Sequence, residues 1–279
     1  MKLTPSALEL DWALVVTRIK RFIQDYVRKS GMKGIVLGVS GGIDSSAAAA
    51  LTSLAIGGQS VLALSMPEEE TYNITDIEHT KMLARKFGFQ IETVDISPIL
   101  RAYYESLPIY DADEKNSKGN LKARTRMICW YYYANRLKRI VCGSSDKSET
   151  MMGYYTKWGD VAADISPLMD LYKTQVKQLA AYIGIPNEII AKPPTPALWP
   201  GHSAEEELGI KYKTLDLILL GLENFLAPDE IAHELKLSTK LVLDIKARWL
   251  ANEHKRRAPL TTKLGYRTTG KDFRLPYTL

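Results

Sequence analysis

A stretch near the start of the chain, GIVLGVSGGIDSSAAAALTSL at residues 34–54, constrains the fold more than any other. Its apolar run between glycines predicts a buried strand, and the alanine-rich run after Asp44 predicts a helix. The glycines between them let the backbone approach a ligand closely, and the free N–H groups at a helix N-terminus favour an anion. The stretch therefore predicts an anion-binding turn between a strand and a helix.

The chain continues this alternation of strands and helices. Apolar runs predict further strands at 60–66, 90–96 and 139–143. Amphipathic spacing and helix-ending residues predict helices at 6–29, 44–56, 74–88, 120–137, 172–186, 214–223, 228–236 and 238–253. The alternation predicts an α/β fold with a doubly wound, mainly parallel sheet and flanking helices. We expect one domain over residues 1–279, with a core at about 30–200 and a helical C-terminal part at about 205–260.

Composition limits where the protein acts. The chain is 46% hydrophobic and 25% charged, and its longest apolar run is too short to span a bilayer. The N-terminus lacks the apolar region of a signal peptide, and Cys129 and Cys142 form no CxxC pair, which favours a reducing compartment. We therefore expect a cytoplasmic protein without a membrane partner. The net charge of +5 suits nucleic acid and a small polyanion equally well.

The turn at residues 38–46 fits one known glycine pattern better than the others. It has no lysine for a Walker A loop, and Ser40 and Ile43 break the dinucleotide pattern GxGxxG. The nucleophile elbow GxSxG matches, with His254 and either Asp216 or Asp244 available for a triad, but it does not explain Asp44 and Ser45. The run SGGIDSS resembles the PP-loop of ATP pyrophosphatases, in which backbone amides and hydroxyl groups hold pyrophosphate. The carboxylate of Asp44 would repel phosphate unless a Mg²⁺ ion lay between them.

Six more segments carry a closer resemblance. They are GNLKARTRM (119–127), GSSDKSE (143–149), GYYTKWGDVAADISPLMDLYKTQV (153–176), KPPTPAL (192–198), EEELGIKY (205–212) and EHKRRAP (253–259). With SGGIDSS, and in this order, they resemble the ammonia-dependent NAD synthetases, a PP-loop family with a Rossmann-like fold. The resemblance implies a carbon–nitrogen ligase that adenylates the nicotinate carboxylate of deamido-NAD with ATP and releases pyrophosphate. Ammonia then displaces AMP to give NAD.

The resemblance also implies roles for individual residues. ATP is expected to contact Gly38, Val39, Ser40, Gly41, Gly42, Ile43, Asp44, Ser45, Ser144, Lys173 and Thr195. Deamido-NAD is expected to contact Arg124, Lys157, Asp164, His254 and Lys255, with Arg126 a solvated charge. Mg²⁺ is expected on Asp44 and Glu149, and the catalytic residues are Asp44, Lys192 and Thr195. The proline-rich segment 191–203, called the lid loop below, is expected to close over the phosphates.

The choice of nitrogen donor and partners follows the same resemblance. The residues before 34 leave no room for a glutamine amidase domain, so we expect free ammonia, small-molecule substrates and a homodimer. The alternative, a PP-loop enzyme that adenylates a tRNA base, lacks an RNA-binding region here, so no nucleic acid partner is expected. The sequence departs from the family at Val161–Ala162, where glycines are common, and at Ala197, His202 and Ala204 of the lid loop region. The tail 268–279 matches nothing in the family.

Overall fold

A four-stranded parallel sheet forms the centre of the computed structural model, which describes residues 2–273. Its strands are β1 (Ile35–Gly38), β2 (Val61–Ser65), β3 (Gln90–Thr93) and β4 (Ile140–Cys142). Their order is β3-β2-β1-β4, and in β1 Ile35 lies opposite Val61 of β2 and Ile140 of β4. The predicted parallel α/β sheet is therefore confirmed.

Thirteen α-helices lie within the described residues. They are α1 (Trp12–Ser30), α2 (Ile43–Ile56), α3 (Ile74–Phe87), α4 (Ser97–Ser106), α5 (Lys115–Leu137), α6 (Lys147–Met152), α7 (Lys173–Tyr182), α8 (Asn187–Ile190), α9 (Ala204–Leu208), α10 (Tyr212–Glu223), α11 (Pro228–Leu235), α12 (Thr239–Ala251) and α13 (Glu253–Arg256). No helix in the range 2–273 is long and apolar enough to cross a membrane. Residues 274–279 of the unmatched tail lie outside the described range.

Both faces of the sheet are covered by helices. Because successive side chains of a strand point to opposite faces, Ile35 and Leu37 pack in one apolar core and Val36 packs in another. The first core includes residues of α1, α2 and α7, and the second includes residues of α4 and α5. This arrangement is the doubly wound architecture that the sequence predicts.

A third apolar core belongs to the helical C-terminal part. It is formed mainly by α10, α11 and α12, with Leu215, Ile231 and Val242 fully buried. Met152 at the end of α6 and Tyr172 just before α7 pack in the same core. The C-terminal helices therefore pack against the segments around α6 and the start of α7. Both segments follow β4 and lie at the carboxyl edge of the sheet.

The N-terminal prediction needs a correction. Residues 6–29 do not form one helix, because a 3-10 turn at Pro5–Leu8 precedes α1. The Asp11 carboxylate accepts a hydrogen bond from the backbone N–H of Leu14 at 3.0 Å, which caps α1 and fixes its start at Trp12. The predicted strand 90–96 is also shorter and ends at Thr93.

Candidate active site

The strand order creates a crevice at the carboxyl edge of the sheet. The chain runs outward from β1 through β2 to β3, and it returns to β4 on the other side of β1. At such a switch point the connections leave β1 and β4 in opposite directions, which opens a ligand crevice between them. A cavity of about 500 Å³ lies here. It is lined by residues after β1, after β4 and in the lid loop.

The glycine turn after β1 requires glycines for steric reasons. A Cβ atom on Gly38 would lie 2.4 Å from the ring of Trp130 on α5. Gly41 has φ +70°, and a Cβ there would lie 2.8 Å from the backbone of Asp76 on α3. The turn is therefore pressed between two helices, and Gly41 backs onto α3 while its neighbours face the cavity.

Hydroxyl groups hold the turn in shape. The Ser45 hydroxyl accepts from the backbone N–H of Ser40 at 3.2 Å and donates to the Gly42 carbonyl at 3.1 Å. Gly42 starts α2 without a side-chain cap, so the N–H groups of the first turn remain available to an anion. The predicted ATP contacts that line the cavity are Gly38, Val39, Ser40, Gly42, Ile43, Asp44, Ser45, Ser144, Lys173 and Thr195.

Three carboxylates surround one buried ammonium beside this turn. Lys173 Nζ lies 2.7 Å from Asp44 Oδ2, 2.7 Å from Glu149 Oε1 and 2.7 Å from Asp146 Oδ2. The first two contacts are hydrogen bonds, whereas the Asp146 oxygen lies outside hydrogen-bond geometry. The ammonium also sits 5.2 Å from the centre of the Tyr212 ring. The sequence predicts Asp44, Glu149 and Lys173 at this site and misses Asp146.

Two buried aspartates place these groups. Asp146 caps α6 by accepting from the backbone N–H of Glu149 at 2.8 Å. Asp216 of α10 accepts from the Ser148 hydroxyl at 2.6 Å and from the backbone N–H of Thr174 at 2.8 Å. Asp216 thus ties the first turns of α6 and α7 together. Both its oxygens are engaged there, so Asp216 is unavailable as the acid of a serine-hydrolase triad.

The charges of the cluster depend on one another. Burial and the neighbouring carboxylates raise the pKa of Glu149 well above its ordinary value, and burial also raises the pKa of Asp146. Burial disfavours the charged form of Lys173, but the carboxylates of Asp146, Asp44 and Glu149 outweigh it and raise the pKa of the ammonium. The cluster is therefore an electrostatic unit in which extra positive charge would be favourable.

The cluster suits a hard divalent cation. Oxygens of Asp44, Asp146 and Glu149 lie within 4.8 Å of one another. Asp44 Oδ1 is buried and has no hydrogen-bond partner among the described residues, so it is free to bind a ligand. Carboxylate oxygens next to a phosphate-binding turn are the ligands that Mg²⁺ prefers. The residues present fit the predicted ion.

The lid loop covers the cavity without regular secondary structure. Lys192 forms an ion pair with Asp76, which is one-fifth exposed. The Thr195 hydroxyl donates to the carbonyl of His202 at the other end of the lid loop. The ring of His202 stacks on Trp199, with 3.5 Å between ring centres. Lys192 and Thr195 both line the cavity, and closure of the lid loop over phosphates stays a prediction.

Four of the five predicted deamido-NAD contacts lie outside this cavity. The Arg124 guanidinium donates to the carbonyl of Lys157, and Lys157 Nζ donates to the carbonyl of His254 at 2.7 Å. Asp164 Oδ2 accepts from a backbone N–H of β4 at 2.7 Å, and the residue is exposed. Contacts of these four residues with a substrate stay predictions, and each has a structural partner in this chain.

Lys255 and two residues that the prediction missed do line the cavity. Lys255 is joined there by Arg126, whose guanidinium donates to the carbonyl of Met66, so Arg126 is not the solvated charge we expected. Asp160 accepts from the backbone N–H of Thr156 at 2.8 Å. Burial raises the pKa of Asp160 and lowers the pKa of Lys255. The spacing of Arg126 from Ala123 and Trp130, which both line the cavity, is the sequence signal for its position.

Fold and site together define a class of protein before any comparison. The chain is an α/β protein of the kind that binds phosphate-containing ligands. It has a glycine turn suited to an anion and a carboxylate cluster at the switch point of a parallel sheet. The NAD synthase family model matches residues 15–259 of the chain. The protein belongs to the NAD synthase family, which confirms the resemblance found in its motifs.

Individual relatives agree with this assignment. The chain is 45% identical to the NH3-dependent NAD⁺ synthetase of Methanocaldococcus jannaschii over 90% of this chain and 96% of that protein. It is 43% identical to the protein of the same name from Aeropyrum pernix over 92% and 91%. Among solved structures, the NH3-dependent NAD synthetase of Campylobacter jejuni superposes with TM-score 0.76 at 30% identity, covering 91% of this chain and 100% of that one. The NMN synthetase of Francisella tularensis superposes with TM-score 0.80 at 30% identity, covering 92% and 100%.

Proposed function

We propose that the protein makes NAD by amidating the nicotinate carboxylate of deamido-NAD, with ATP as activating co-substrate and ammonia as nitrogen donor. The observation that carries the proposal is that Asp44 of the SGGIDSS turn meets Asp146, Glu149 and Lys173, which follow β4, at the switch point of the sheet. This arrangement suits a reaction in which pyrophosphate leaves ATP. The relatives named NH3-dependent NAD⁺ synthetases support the identity of the acceptor and of the nitrogen donor.

The chain's own groups divide the work of the first step. N–H groups at the start of α2, with the hydroxyls of Ser40 and Ser45, would hold the pyrophosphate part of ATP. Asp44 and Glu149, with Asp146, would hold Mg²⁺, which supplies positive charge that stabilises the leaving pyrophosphate. Lys173 would then carry a second fixed positive charge beside the α-phosphate as the carboxylate oxygen attacks phosphorus.

The lid loop serves the second step. Phosphate oxygens would replace Asp76 as the partner of Lys192, and Thr195 would turn its hydroxyl from the His202 carbonyl to the nucleotide. A closed lid loop excludes water from the acyl-adenylate, so that ammonia attacks the acyl carbon and AMP leaves. Asp160, which lines the same cavity, would receive a proton from the entering ammonia.

Location and assembly complete the proposal. We propose that the protein works in the cytoplasm, since the substrates are soluble nucleotides. A homodimer is proposed from the family resemblance, and exposed apolar side chains on α1, among them Leu14 and Phe22, offer a surface for it. The alternative of a tRNA-modifying enzyme is not favoured, because the relatives are NAD synthetases.

A reaction with mass-spectrometric product analysis tests the proposal. Purified protein is given ATP, Mg²⁺, deamido-NAD and ammonium, and we expect NAD, AMP and pyrophosphate in equal amounts. Glutamine in place of ammonium should give no NAD. Nicotinate mononucleotide in place of deamido-NAD tests the mononucleotide reaction that the name of the Francisella tularensis structure suggests. Asp44→Asn should lower the rate by about 100-fold or more. Cleavage of ATP without amide formation on either acceptor would contradict the proposal.

A further inference from the structure

Lys122 of α5 is a buried cation outside the catalytic cluster. Its side chain has no exposed surface, and its ammonium makes three contacts. Nζ lies 2.9 Å from Glu68 Oε1, 2.7 Å from Glu70 Oε2 and 2.9 Å from the carbonyl oxygen of Leu198. An ammonium has three N–H donors, so all three are used. One of these N–H groups donates to the backbone of the lid loop, at the carbonyl of Leu198.

The carboxylates around Lys122 lie in a segment that leads directly to the cavity. Glu68 and Glu70 come just before Thr71, Tyr72 and Asn73, which line the cavity. Burial acts to raise the pKa of Glu68, but hydrogen bonds from Thr71 and Lys122 outweigh it and lower that pKa. The ammonium of Lys122 therefore joins the segment that contains Glu68 and Glu70 to the backbone of the lid loop.

The surface of α5 beside Lys122 is shaped for the same segment. Gly119 lies one helical turn before Lys122, so both residues face the same side of α5. A Cβ atom on Gly119 would lie 3.2 Å from Leu198 Cβ and 3.5 Å from the ring of Trp199. This independent observation shows that α5 packs closely against Leu198 and Trp199 in the middle of the lid loop. The surface of α5 at Gly119 and Lys122 that contacts Leu198 is called the seat below.

We infer that Lys122 is a positioning residue that holds the lid loop closed over the cavity by seating Leu198 on α5. The inference rests on the proposed function for its catalytic consequence. If Leu198 leaves its seat, water can reach the acyl carbon of the acyl-adenylate. Water then breaks the bond between that carbon and the phosphate oxygen, which returns the free carboxylate and releases AMP without forming NAD.

The amount of AMP released per NAD formed measures this loss. We expect Lys122→Met to raise that ratio at least about twofold over wild type, since a loosened lid admits water. Lys118→Met is the matched control, because Lys118 also lies on α5 and pairs with Glu70 but forms no hydrogen bond or ion pair with the lid loop in the described structure. The control should keep the wild-type ratio. A wild-type ratio in Lys122→Met would overturn the inference.

A second variant separates lid seating from folding. Gly119→Ala crowds Leu198 but improves the helix propensity of α5, so it should raise the AMP to NAD ratio without lowering the melting temperature. If Lys122→Met does not fold, this variant decides. An unchanged ratio in Gly119→Ala would then count against the seat.

Hydrogen exchange gives a readout that needs no turnover. With Mg²⁺ and α,β-methylene ATP, peptides covering residues 191–203 should exchange faster in Lys122→Met than in wild type or Lys118→Met. Equal exchange in all three proteins would overturn the inference. This measurement distinguishes the two proposals, because faster exchange in the variant supports the seat even if the wild type makes no NAD.

Discussion

Lys173 balances the charge of the cavity, and its position explains an oddity of the sequence. A cation at the first position of α7 is disfavoured by the helix dipole. The structure compensates with Asp44, Asp146 and Glu149 around the ammonium and with Asp216 at the start of the helix. A lysine is kept at an unfavourable position because three carboxylates need a counter-charge there.

Replacement of Lys173 is therefore expected to be severe. Lys173→Met leaves three carboxylates facing one another and removes a fixed positive charge, so turnover should fall by about 100-fold or more. Lys177→Met, one turn along α7, is the control and should retain activity. The measurement is the rate of NAD formation at saturating ATP and Mg²⁺. A Lys173→Met enzyme as active as the control would contradict the role of this charge.

Glu68 allows a test by pH. Its pKa in the folded protein is lowered, so its ion pair and hydrogen bonds contribute stability above the unfolded-state pKa, and this stability is lost as pH falls through the folded-state pKa. On lowering the pH from about 5 to about 3, the unfolding free energy should drop more steeply for wild type than for Glu68→Gln. Urea denaturation at each pH measures both slopes. Glu69→Gln, which removes an exposed ion pair, is the control and should keep the wild-type dependence of unfolding free energy on pH. The same dependence in wild type and Glu68→Gln would refute the prediction.

At the scale of elements, the site depends on how α6, α7 and α10 meet. Asp216 of α10 accepts hydrogen bonds from both of the other helices, and Ser148 of α6 accepts from the backbone N–H of Lys173 at 2.9 Å. The C-terminal helices thus fix the first turn of α7, which carries Lys173. The C-terminal helices therefore both position the first turns of α6 and α7 and contribute residues to the lining of the cavity.

Loss of this junction should be measurable as stability. Asp216→Ala leaves a backbone N–H and a hydroxyl without their acceptor in a buried place, which should cost about 2–4 kcal/mol of unfolding free energy. Asp244→Ala, in the exposed ion pair with Lys240, should cost less than about 1 kcal/mol. Urea denaturation compares the two. Equal costs would show that Asp216 does not hold the junction.

Elements with a continuous apolar run or a clear apolar period were predictable from the sequence, whereas the shortest helices were not. Short apolar runs predicted β1 and β2, because a strand buried on both faces is apolar throughout. Helices α6, α8, α9 and α13 have only four to six residues, too few to show a helical period. They arise from caps and tertiary packing, such as the Asp146 cap of α6.

The rotation of a helix about its axis limits the prediction of site residues. Arg124 and Arg126 differ by roughly 200° around α5, because each residue turns the helix by about 100°. The motif alone does not fix that rotation, so the sequence did not show that Arg126 lines the cavity, and the contact of Arg124 with deamido-NAD stays a prediction. Packing of α5 on the sheet, with Trp130 against Gly38, sets the rotation. The residues of the glycine turn were easier, since the turn has few possible backbone paths.

At the scale of the whole molecule, three parts of the chain meet at one cavity. The segment after β1 supplies the glycine turn and Asp44, the segment after β4 supplies Asp146 and Glu149, and the lid loop and C-terminal helices line other parts of the cavity. The NAD synthase model covers residues 15–259, which include all of these parts. In the proposed function, this assembly activates a carboxylate by adenylation.

Oxygen transfer tests that account most directly. Deamido-NAD carrying ¹⁸O in both carboxylate oxygens is converted with unlabelled ATP, Mg²⁺ and ammonium, and the products are weighed by mass spectrometry. Attack of a carboxylate oxygen on the α-phosphorus, followed by loss of AMP, predicts one ¹⁸O atom in AMP and one in the amide of NAD. AMP without label would mean that the carboxylate is not adenylated, and would contradict the account.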